Sequence, residues 1–390
     1  MQKICIIGGC GHVGIPLGLA FASKNFNVTL LDINKKAVDA VNSGTLPFIE
    51  DGAQEILSKH IGKNLFATND ENVIKTQDAV VFVTGTPVDE HLTPKIKDVL
   101  NVIKRYRPLL NKNQLIVLRS TIFPGTTEVI DNILADENGQ KPMLAFCPER
   151  IVQGKGIEEI FTLPQLVSAV SEAAYIAASE LFLHIAPKII RLEPKEAEIA
   201  KLMTNSWRYL EFAIANQFYM MIESEGLDFY KIYNAMRDNY PRAQKFPKPG
   251  LAAGPCLFKD TMQLSVFNKN NFTLGQSGMQ VNEGLADFLV ERLEQKIGSL
   301  KGKTIAILGM TFKPNNDDVR EALSFRVKKR LEFKMANVLP CDPYLKEMIP
   351  LDEALKKADG IILGMPHDAY RDVKPQVPYV DCWDVWRGVL

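Results

Sequence analysis

The 390-residue sequence lacks a net charge, paired cysteines and long apolar runs. Its 46 basic and 46 acidic residues balance, which argues against a nucleic-acid partner. The six cysteines show neither paired spacing nor a Cys-x-x-Cys motif, so we expect no disulfide scaffold and no metal site. No apolar run approaches the roughly 20 residues of a membrane span, and the first residues carry no signal-peptide pattern. These absences predict a soluble cytoplasmic protein with reduced thiols.

The glycine-rich turn after the first apolar strand is the clearest local motif. Strand Lys3–Ile7 leads into Gly9, Gly11 and Gly14, and a helix pattern follows. In a βαβ unit the first glycine permits the tight turn, the second lets a pyrophosphate approach and the third packs the helix on the sheet. Asp32 ends the next strand, where a carboxylate accepts ribose hydroxyls and repels a 2′-phosphate. The pattern predicts an NAD site; the alternative is a glycine-rich turn without a ligand.

Three later strands of the same alternating pattern end in polar loops. The carboxyl ends of parallel strands meet at one edge of a doubly wound sheet, where ligands bind. Thr86 and Thr121 could hydrogen-bond a cofactor there, or each could simply serve as a turn or cap residue. Glu149 and Arg150 follow a strand too, a costly place for charges unless they are paired or functional.

A single helix is predicted from Pro194 to about Glu225, and at 1.5 Å per residue it would be roughly 48 Å long. Lys201, Asn205 and Arg208 share one face of it. That row is either a solvated stripe or a polar strip that enters a pocket.

The apolar second half of this helix, 212–222, is predicted to contact another subunit, with burial in the same chain as the alternative. The segment after the helix carries Arg242, Lys245, Phe246 and Lys248. Such a set of cations beside an aromatic ring suits a phosphate-bearing substrate.

The segment Gly250–Asp260 contains a cysteine placed at a predicted helix start. Pro255 suits the opening of a helix, so Cys256 would lie at the N-terminus, where the dipole favours a thiolate. Asp260 would lie one turn later on the same face. The pattern indicates a nucleophile, and the alternative is a small buried thiol.

A second, smaller α/β pattern begins with the strand Gly302–Gly309. The charged loop Phe312–Arg320 follows it at a position analogous to the first glycine turn. The fold prediction is therefore α/β, with two Rossmann-like doubly wound parallel-sheet domains joined by a long central helix. The predicted boundaries are 1–192 for an NAD-binding domain, 193–298 for a central helical dimerisation region with the cysteine loop, and 299–390 for a nucleotide-binding domain.

With these stretches assembled, the chain resembles the UDP-glucose/GDP-mannose dehydrogenase family, the NAD-dependent nucleotide-sugar 6-dehydrogenases. The resemblance covers nearly the whole length, and so many ordered matches are more specific than any single motif. The matching stretches are Gly9–Gly14 with Asp32, Thr86-Pro87, Ser120-Thr121 with Pro124–Thr127, Cys147–Arg150, Ala197–Lys201 with Asn205 and Arg208, Gly254–Cys256 with Lys259-Asp260, and Phe312–Pro314 with Asp318–Glu321.

The resemblance implies oxidation of a sugar CH2OH group at C6 to a carboxylate with two NAD+ and one water. By position, Cys256 would capture the C6 aldehyde as a thiohemiacetal, which becomes a thioester that water hydrolyses. Lys201 and Asn205 would stabilise oxyanions, in keeping with their shared helix face. The family is a dimer or larger through the long helix, and the small C-terminal domain covers UDP.

The same resemblance assigns the remaining roles. Glu149 would assist proton transfer and thioester hydrolysis, while Asp260, through water with Thr121, would help deprotonate the alcohol or orient the water. It assigns the cofactor to Gly9, Gly11, His12, Val13, Gly14, Asp32, Lys36, Thr86, Pro87, Thr121 and Arg320. It assigns the substrate to Arg150, Ile151, Lys201, Asn205, Arg208, Arg242, Phe246, Gly250, Phe312, Lys313 and Arg371.

Several substrates and activities stay open. Pro-Glu-Arg around Glu149, with Arg208, looks closer to the branch acting on UDP-N-acetylhexosamines (UDP-ManNAc, UDP-GlcNAc or UDP-GalNAc) than to the UDP-glucose branch. A two-electron hydroxyacid dehydrogenase would need no nucleophilic cysteine and no second nucleotide domain. A non-enzymatic dinucleotide-binding protein would need no catalytic side chains. The glycan pathway, such as capsule or O-antigen polysaccharide biosynthesis, is also open.

Overall fold

The computed structural model describes residues 1–386 apart from 87, 90, 252, 253 and 255. The chain divides into two compact units, Met1–Met203 and Thr204–Leu390. Among the described residues, no helix combines the length and the apolar character needed to cross a membrane.

The first unit alternates strands and helices along the chain. Its eight strands are β1 (Lys3–Ile7), β2 (Asn27–Leu31), β3 (Leu65–Thr68), β4 (Ala79–Phe82), β5 (Leu115–Leu118), β6 (Met143–Phe146), β7 (Gln165–Ala169) and β8 (Ile189–Arg191). Its helices are α1 (Gly14–Ser23), α2 (Lys35–Asn42), α3 (Ala53–His60), α4 (Ile96–Tyr106), α5 (Thr126–Leu134), α6 (Gly156–Thr162) and α7 (Glu172–Leu183), and short 3-10 turns lie at Glu71–Thr76 and Arg107–Leu109. The helix α8 (Pro194–Ser224) includes residues of both units.

The first sheet is doubly wound. Its strand order is β3-β2-β1-β4-β5-β6-β7-β8, and all neighbours are parallel except β6 and β7. Ile4 and Ile6 of β1 belong to one apolar cluster, and Cys5 and Ile7 belong to another. Successive side chains of a strand point to opposite faces, so helices cover both faces of this sheet. The order reverses between β1 and β4, which makes the carboxyl ends of these strands the expected ligand edge.

The second unit joins helices to a smaller sheet. The helices are α9 (Phe229–Arg237), α10 (Leu257–Phe267), α11 (Thr273–Ile297), α12 (Ser324–Phe333) and α13 (Leu351–Lys357), with a 3-10 turn at Asp368–Tyr370. The strands are β9 (Thr304–Leu308), β10 (Asn337–Cys341), β11 (Gly360–Leu363) and β12 (Tyr379–Val380). They form a parallel sheet in the order β10-β9-β11-β12, so its own reversal lies between β9 and β11.

The predicted fold class is confirmed, with differences in detail. The long helix ends at Ser224, one residue before the predicted Glu225. In the second half of α8 one face is buried and another is exposed: Tyr219 is buried, whereas Ile214 and Phe218 are exposed.

Candidate functional site

The glycine turn after β1 has no room for side chains at two of its three glycines. A Cβ on Gly9 would lie 2.6 Å from the Ile6 carbonyl oxygen, and one on Gly14 would lie 2.5 Å from the Gly9 oxygen. A Cβ on Gly11 would meet only the Gly8 oxygen, at 3.6 Å. Gly9 and Gly14 therefore let the turn and α1 close up, while Gly11 leaves an open side where a pyrophosphate can approach.

Asp32, which follows β2, fastens this turn. The Cys10 amide donates to Asp32 Oδ2 at 3.0 Å, and the Asn34 amide donates to Oδ1 at 2.9 Å. Burial, then the charge of Asp32, raises the pKa of the Cys10 thiol to about 12. Each carboxylate oxygen of Asp32 has a second lone pair, so the residue can also accept hydroxyl donors. The turn and Asp32 thus fit a dinucleotide.

His12 of the turn is supported by residues that the sequence analysis did not single out. Its ring lies 3.9 Å from the Phe48 ring, centroid to centroid, and Gln153 Nε2 lies 2.9 Å from His12 Nδ1. The buried Glu50 accepts the amide of Gly154 at 2.8 Å and that of Gly156. These contacts connect two distant loops beside the turn. Elsewhere, Val13 is the N-cap of α1, and Lys36 is exposed in the first turn of α2.

The loops after β4 and β5 also meet at this edge. Ser120 Oγ donates to the Thr84 carbonyl at 2.6 Å. Thr86 and Thr121 are both half-buried in these loops. Pro87, the other predicted cofactor residue here, lies outside the described residues.

Glu149, after β6, is a buried carboxylate with defined partners. It pairs with the buried Arg119, which directly follows β5. Its Oε1 accepts the amides of Arg150 at 2.7 Å and Ile151 at 2.9 Å. The Arg150 side chain donates to the Pro164 carbonyl, and burial lowers the pKa of Arg150. The charges at this strand end are paired, and the sequence analysis did not identify Arg119 as the partner.

Near its start, α8 is attached to α5 through a second buried carboxylate. Glu198 accepts the amide of Gly125, and its Oε1 accepts the Thr127 amide at 2.8 Å and the Thr127 hydroxyl at 2.6 Å. These donors lie at the N-terminus of α5, where negative charge is favourable. Lys201, one turn further along α8, is buried.

In the second unit, Asp260 is completely buried in the first turn of α10. Asn205 of α8 donates from Nδ2 to Asp260 Oδ2 at 2.6 Å, and Lys259 Nζ lies 3.4 Å from Oδ1. The predicted oxyanion group Asn205 and the predicted base Asp260 are therefore in direct contact.

Cys256 is the exposed cysteine of the chain, and the other five are buried. It is the N-cap residue of α10, and the Asp260 amide donates to its carbonyl at 2.9 Å, as a helical turn requires. Pro255, predicted to open the helix, lies outside the described residues, as do Ala252 and Ala253. The predicted nucleophile is accessible at a helix N-terminus.

The start of the cysteine loop is fixed by buried amides. Asn216 of α8 accepts the Gly250 amide at 2.8 Å and donates to its carbonyl at 3.0 Å. Asn282 of α11 accepts from Asn216 at 2.9 Å and donates to the Tyr209 carbonyl. A Cβ on Gly250 would lie 2.1 Å from the Trp383 ring, so only glycine fits there.

The loop after β9 contacts the cysteine loop. The Phe312 ring lies against Gly254, whose φ is +101° and where a Cβ would approach the ring to 2.7 Å. Arg320 makes a bidentate pair with Asp318, with Nε–O distances of 3.0 and 2.9 Å. The Asp318 hydrogen bond and charge, together with the Cys256 charge, raise the pKa of Arg320 despite its partial burial.

In the second sheet, a buried aspartate that was not predicted from the sequence accepts backbone amides of the loop after β9. Asp342, after β10, accepts the Met310 amide at 2.7 Å and the Thr311 amide at 3.2 Å. The buried His367 accepts the Asn315 amide at Nδ1, so its Nε2 carries the proton toward Asp342, 3.0 Å away. These bonds fix the loop that carries Phe312 and the half-buried Lys313.

Of the other predicted substrate residues in the second unit, Arg242 and Arg371 are exposed, whereas Arg208 and Phe246 are half-buried. Arg242 is exposed and its Nε donates to the Tyr240 hydroxyl at 2.7 Å. Phe246 stacks on Phe218 at 5.7 Å. Arg371 is exposed and pairs with Asp368 at 2.6 Å, and Arg208 is half-exposed on α8.

Within the first unit, the structure brings the glycine turn together with Asp32 and His12. Within the second, it brings Asn205 to Asp260 and the Phe312 ring to Gly254 of the cysteine loop. Among the residues that the structure describes, no group of three or more His, Cys, Asp and Glu side chains is arranged to hold a metal ion.

Three models of one family match consecutive parts of the chain. All describe the UDP-glucose/GDP-mannose dehydrogenase family: its NAD binding domain matches residues 2–186, its central domain 195–284 and its UDP binding domain 306–387. The chain therefore belongs to the UDP-glucose/GDP-mannose dehydrogenase family. It is an NAD-dependent nucleotide-sugar dehydrogenase, and the resemblance drawn from the motifs is confirmed.

Individual relatives agree with this assignment. A UDP-N-acetyl-D-mannosamine dehydrogenase of Methanocaldococcus jannaschii is 29% identical, over 95% of this chain and 87% of the relative. The UDP-glucose 6-dehydrogenase YwqF of Bacillus subtilis is 26% identical, over 95% and 91%. The structure of a UDP-D-ManNAc dehydrogenase from Pyrococcus horikoshii has a TM-score of 0.88 and 26% identity, over 95% of this chain and 91% of the other.

Proposed function

We propose that the chain oxidises the C6 hydroxymethyl group of a UDP-N-acetylhexosamine to the uronic acid in a four-electron reaction. The observation that supports this most is the exposed Cys256 at the N-cap of α10. The dipole of α10 places positive potential at this residue. A two-electron dehydrogenase has no use for a cysteine in that setting.

Overall, R–CH2OH, one water and two NAD+ give R–COO−, two NADH and three protons, so the cofactor supplies the hydride acceptor for both oxidations. The aldehyde carbon bonds to the Cys256 sulfur while its oxygen takes a proton, forming a thiohemiacetal. Loss of a hydride and a proton leaves a thioester. Water then adds to the thioester carbon, the C–S bond breaks with its electron pair on sulfur, and carboxylate and thiolate form with release of two protons.

The surrounding side chains have the chemistry for these steps. Lys201 and Asn205 would stabilise the oxyanions, because both are buried donors on one helix. Asp260, with its Asn205 contact, would accept the alcohol proton or orient the water, together with Thr121. Glu149 would accept a proton during thioester hydrolysis.

Binding would be divided among three segments. Segment 1–192 would hold NAD on Gly11 and Asp32, and 299–390 would cover the UDP group. Segment 193–298 would supply the cysteine loop. The cations Lys313, Arg242 and Arg371 carry the charge that a diphosphate requires.

The N-acetylhexosamine assignment rests on Pro148–Arg150, on Arg208 and on the relatives named for UDP-N-acetyl-D-mannosamine. The second candidate is UDP-glucose, which the likeness to the Bacillus subtilis enzyme favours. NADH formation with UDP-ManNAc, UDP-GlcNAc, UDP-GalNAc and UDP-glucose at equal concentration separates the two. A kcat/KM highest for UDP-glucose would overturn the assignment.

Cys256→Ser tests the covalent step. The variant should bind the UDP-sugar with a Kd close to that of the native protein and yet form no uronic acid. Full turnover by the variant would favour the alternative of a two-electron hydroxyacid dehydrogenase.

We also propose a homodimer through α8. Trp207, Ile214, Phe218 and Met221 lie at helical spacing and are 60, 45, 43 and 54% exposed. An apolar stripe of this kind on a soluble helix is typical of an interface. Ile214→Glu should give a monomer by light scattering, whereas Phe333→Glu, at an 80% exposed position on α12, should not. An unchanged mass for Ile214→Glu would place the interface elsewhere.

A further inference from the structure

Arg119 is a completely buried guanidinium at the end of β5. Its side chain is 2% exposed. Nη1 donates to the Cys147 carbonyl at 3.2 Å and to Gln165 Oε1 at 2.9 Å, and Nη2 pairs with Glu149. Its charge also lies 5.0 Å from the centre of the Phe182 ring. The guanidinium is therefore held from several sides.

The carboxylate that it meets is held equally well. Glu149 Oε1 accepts two backbone amides, while Oε2 faces Arg119. The Glu149 amide in turn donates to the Arg119 carbonyl at 3.0 Å. Gln165 contacts both partners' surroundings: its Oε1 accepts from Arg119, and its Nε2 donates to the carbonyl of Pro148, the residue before Glu149, at 3.2 Å. Arg119 thus connects the ends of two neighbouring strands, each of which carries a proposed site residue nearby.

Stability alone does not account for this pair. Desolvating two charges can cost more than their attraction returns, and apolar replacements of similar volume are often neutral or stabilising. What an arginine supplies that an apolar side chain cannot is a planar fork that fixes a carboxylate in one orientation.

We propose that Arg119 is a positioning residue for the reaction, acting through Glu149. It fixes the carboxylate so that one oxygen can take a proton from the water that adds to the thioester carbon, as the C–S bond breaks and sulfur leaves with its electron pair. The second proton of that water goes to solvent as the carboxylate product ionises. This inference rests on the proposed function, because it requires the thioester.

The test is a double-mutant cycle with Arg119→Met, Glu149→Gln and their combination. General-base assistance contributes about 10²–10⁴ in rate, so we expect each single variant to lower kcat by roughly 10²-fold. Intact-mass measurement should find both accumulating the sugar acyl group on Cys256. The combination should be no slower than Glu149→Gln alone, because the two side chains act as one unit. A merely structural role would lower kcat further in the Glu149→Gln background.

Two additional variants complete the design. Arg105→Met removes an exposed arginine paired with Glu71, and it should leave kcat and the mass spectrum unchanged. Arg119→Lys keeps the positive charge but lacks the planar guanidinium. If Arg119→Met does not fold, the double-mutant cycle of Arg119→Lys with Glu149→Gln tests whether residue 119 acts through Glu149. Native kcat in Arg119→Met, or losses that add in the cycle, would overturn the inference. Native kcat in Glu149→Gln would instead remove the proposed role of Glu149.

Discussion

Gly14→Ala should destabilise the first unit by a predictable amount. The new Cβ would lie 2.5, 2.6 and 2.7 Å from the oxygen, Cα and carbonyl carbon of Gly9. All three atoms are backbone, so no side chain can rotate away. Either α1 moves from the sheet or the turn opens.

The magnitude follows from the cost of overpacking, which is roughly 1–3 kcal/mol. For a unit of this size each kcal/mol lowers Tm by about 2–4 °C, so we expect a fall of roughly 2–12 °C. Scanning calorimetry of the native protein and the variant, without ligand, measures it. NAD affinity should fall as well, because the displaced turn is the proposed pyrophosphate site.

Gly11→Ala is the matched control. Its Cβ would approach only the Gly8 oxygen, at 3.6 Å, so Tm should change little. The methyl group would occupy the open side of the turn, and losing about 1–2 kcal/mol of phosphate interaction raises the Kd of NAD roughly 5- to 30-fold by titration calorimetry. An unchanged Tm for Gly14→Ala, or equal destabilisation by both variants, would refute the reasoning.

Three further predictions follow from the second unit. Iodoacetamide at pH 8 should modify one thiol per native chain and none in Cys256→Ser, because the other five cysteines are buried; two modified thiols would contradict this. Asn216→Ala should lower the free energy of unfolding by about 1–3 kcal/mol, since it leaves the Gly250 backbone groups unpaired. Its kcat should fall while its Kd for NAD stays the same. An unchanged Tm would contradict a stabilising role for the hydrogen bonds between Asn216 and Gly250. Burial raises the pKa of Asp342, but the His367 hydrogen bond and the backbone donors outweigh it, so the pKa lies below its ordinary value. The ionised Asp342 carboxylate therefore stabilises the fold above about pH 4, and this stabilisation is lost as the pH falls through the folded pKa. Below about pH 4 the free energy of unfolding of Asp342→Asn should depend less on pH than that of the native protein. An identical pH dependence would contradict the assignment.

Features encoded by short local patterns were predictable from the sequence. The glycine turn, Asp32, the long helix and the placement of Cys256 at a helix start each depend on neighbours within a few residues or on one βαβ unit. The two Rossmann-like sheets follow from the alternation of strands and helices. The roles assigned to the site residues stay predictions.

The partners that hold those residues were not predictable in the same way. In the sequence Arg119 merely follows an apolar strand, and its partner Glu149 follows a different strand. Asn216 is a polar residue in the apolar second half of α8, and nothing in the local sequence indicates that its side chain hydrogen-bonds the backbone of the distant Gly250. His367 carries no motif at all. Such pairs are set by tertiary contacts, which periodicity and spacing do not encode.

The count of NADH formed per UDP-sugar consumed tests the central claim most directly. With limiting UDP-sugar and excess NAD+, absorbance at the NADH band and chromatography of the product give both quantities in one reaction. A four-electron oxidation through Cys256 predicts two NADH per sugar and a uronic acid product. One NADH per sugar, with an aldehyde or ketone product, would contradict it.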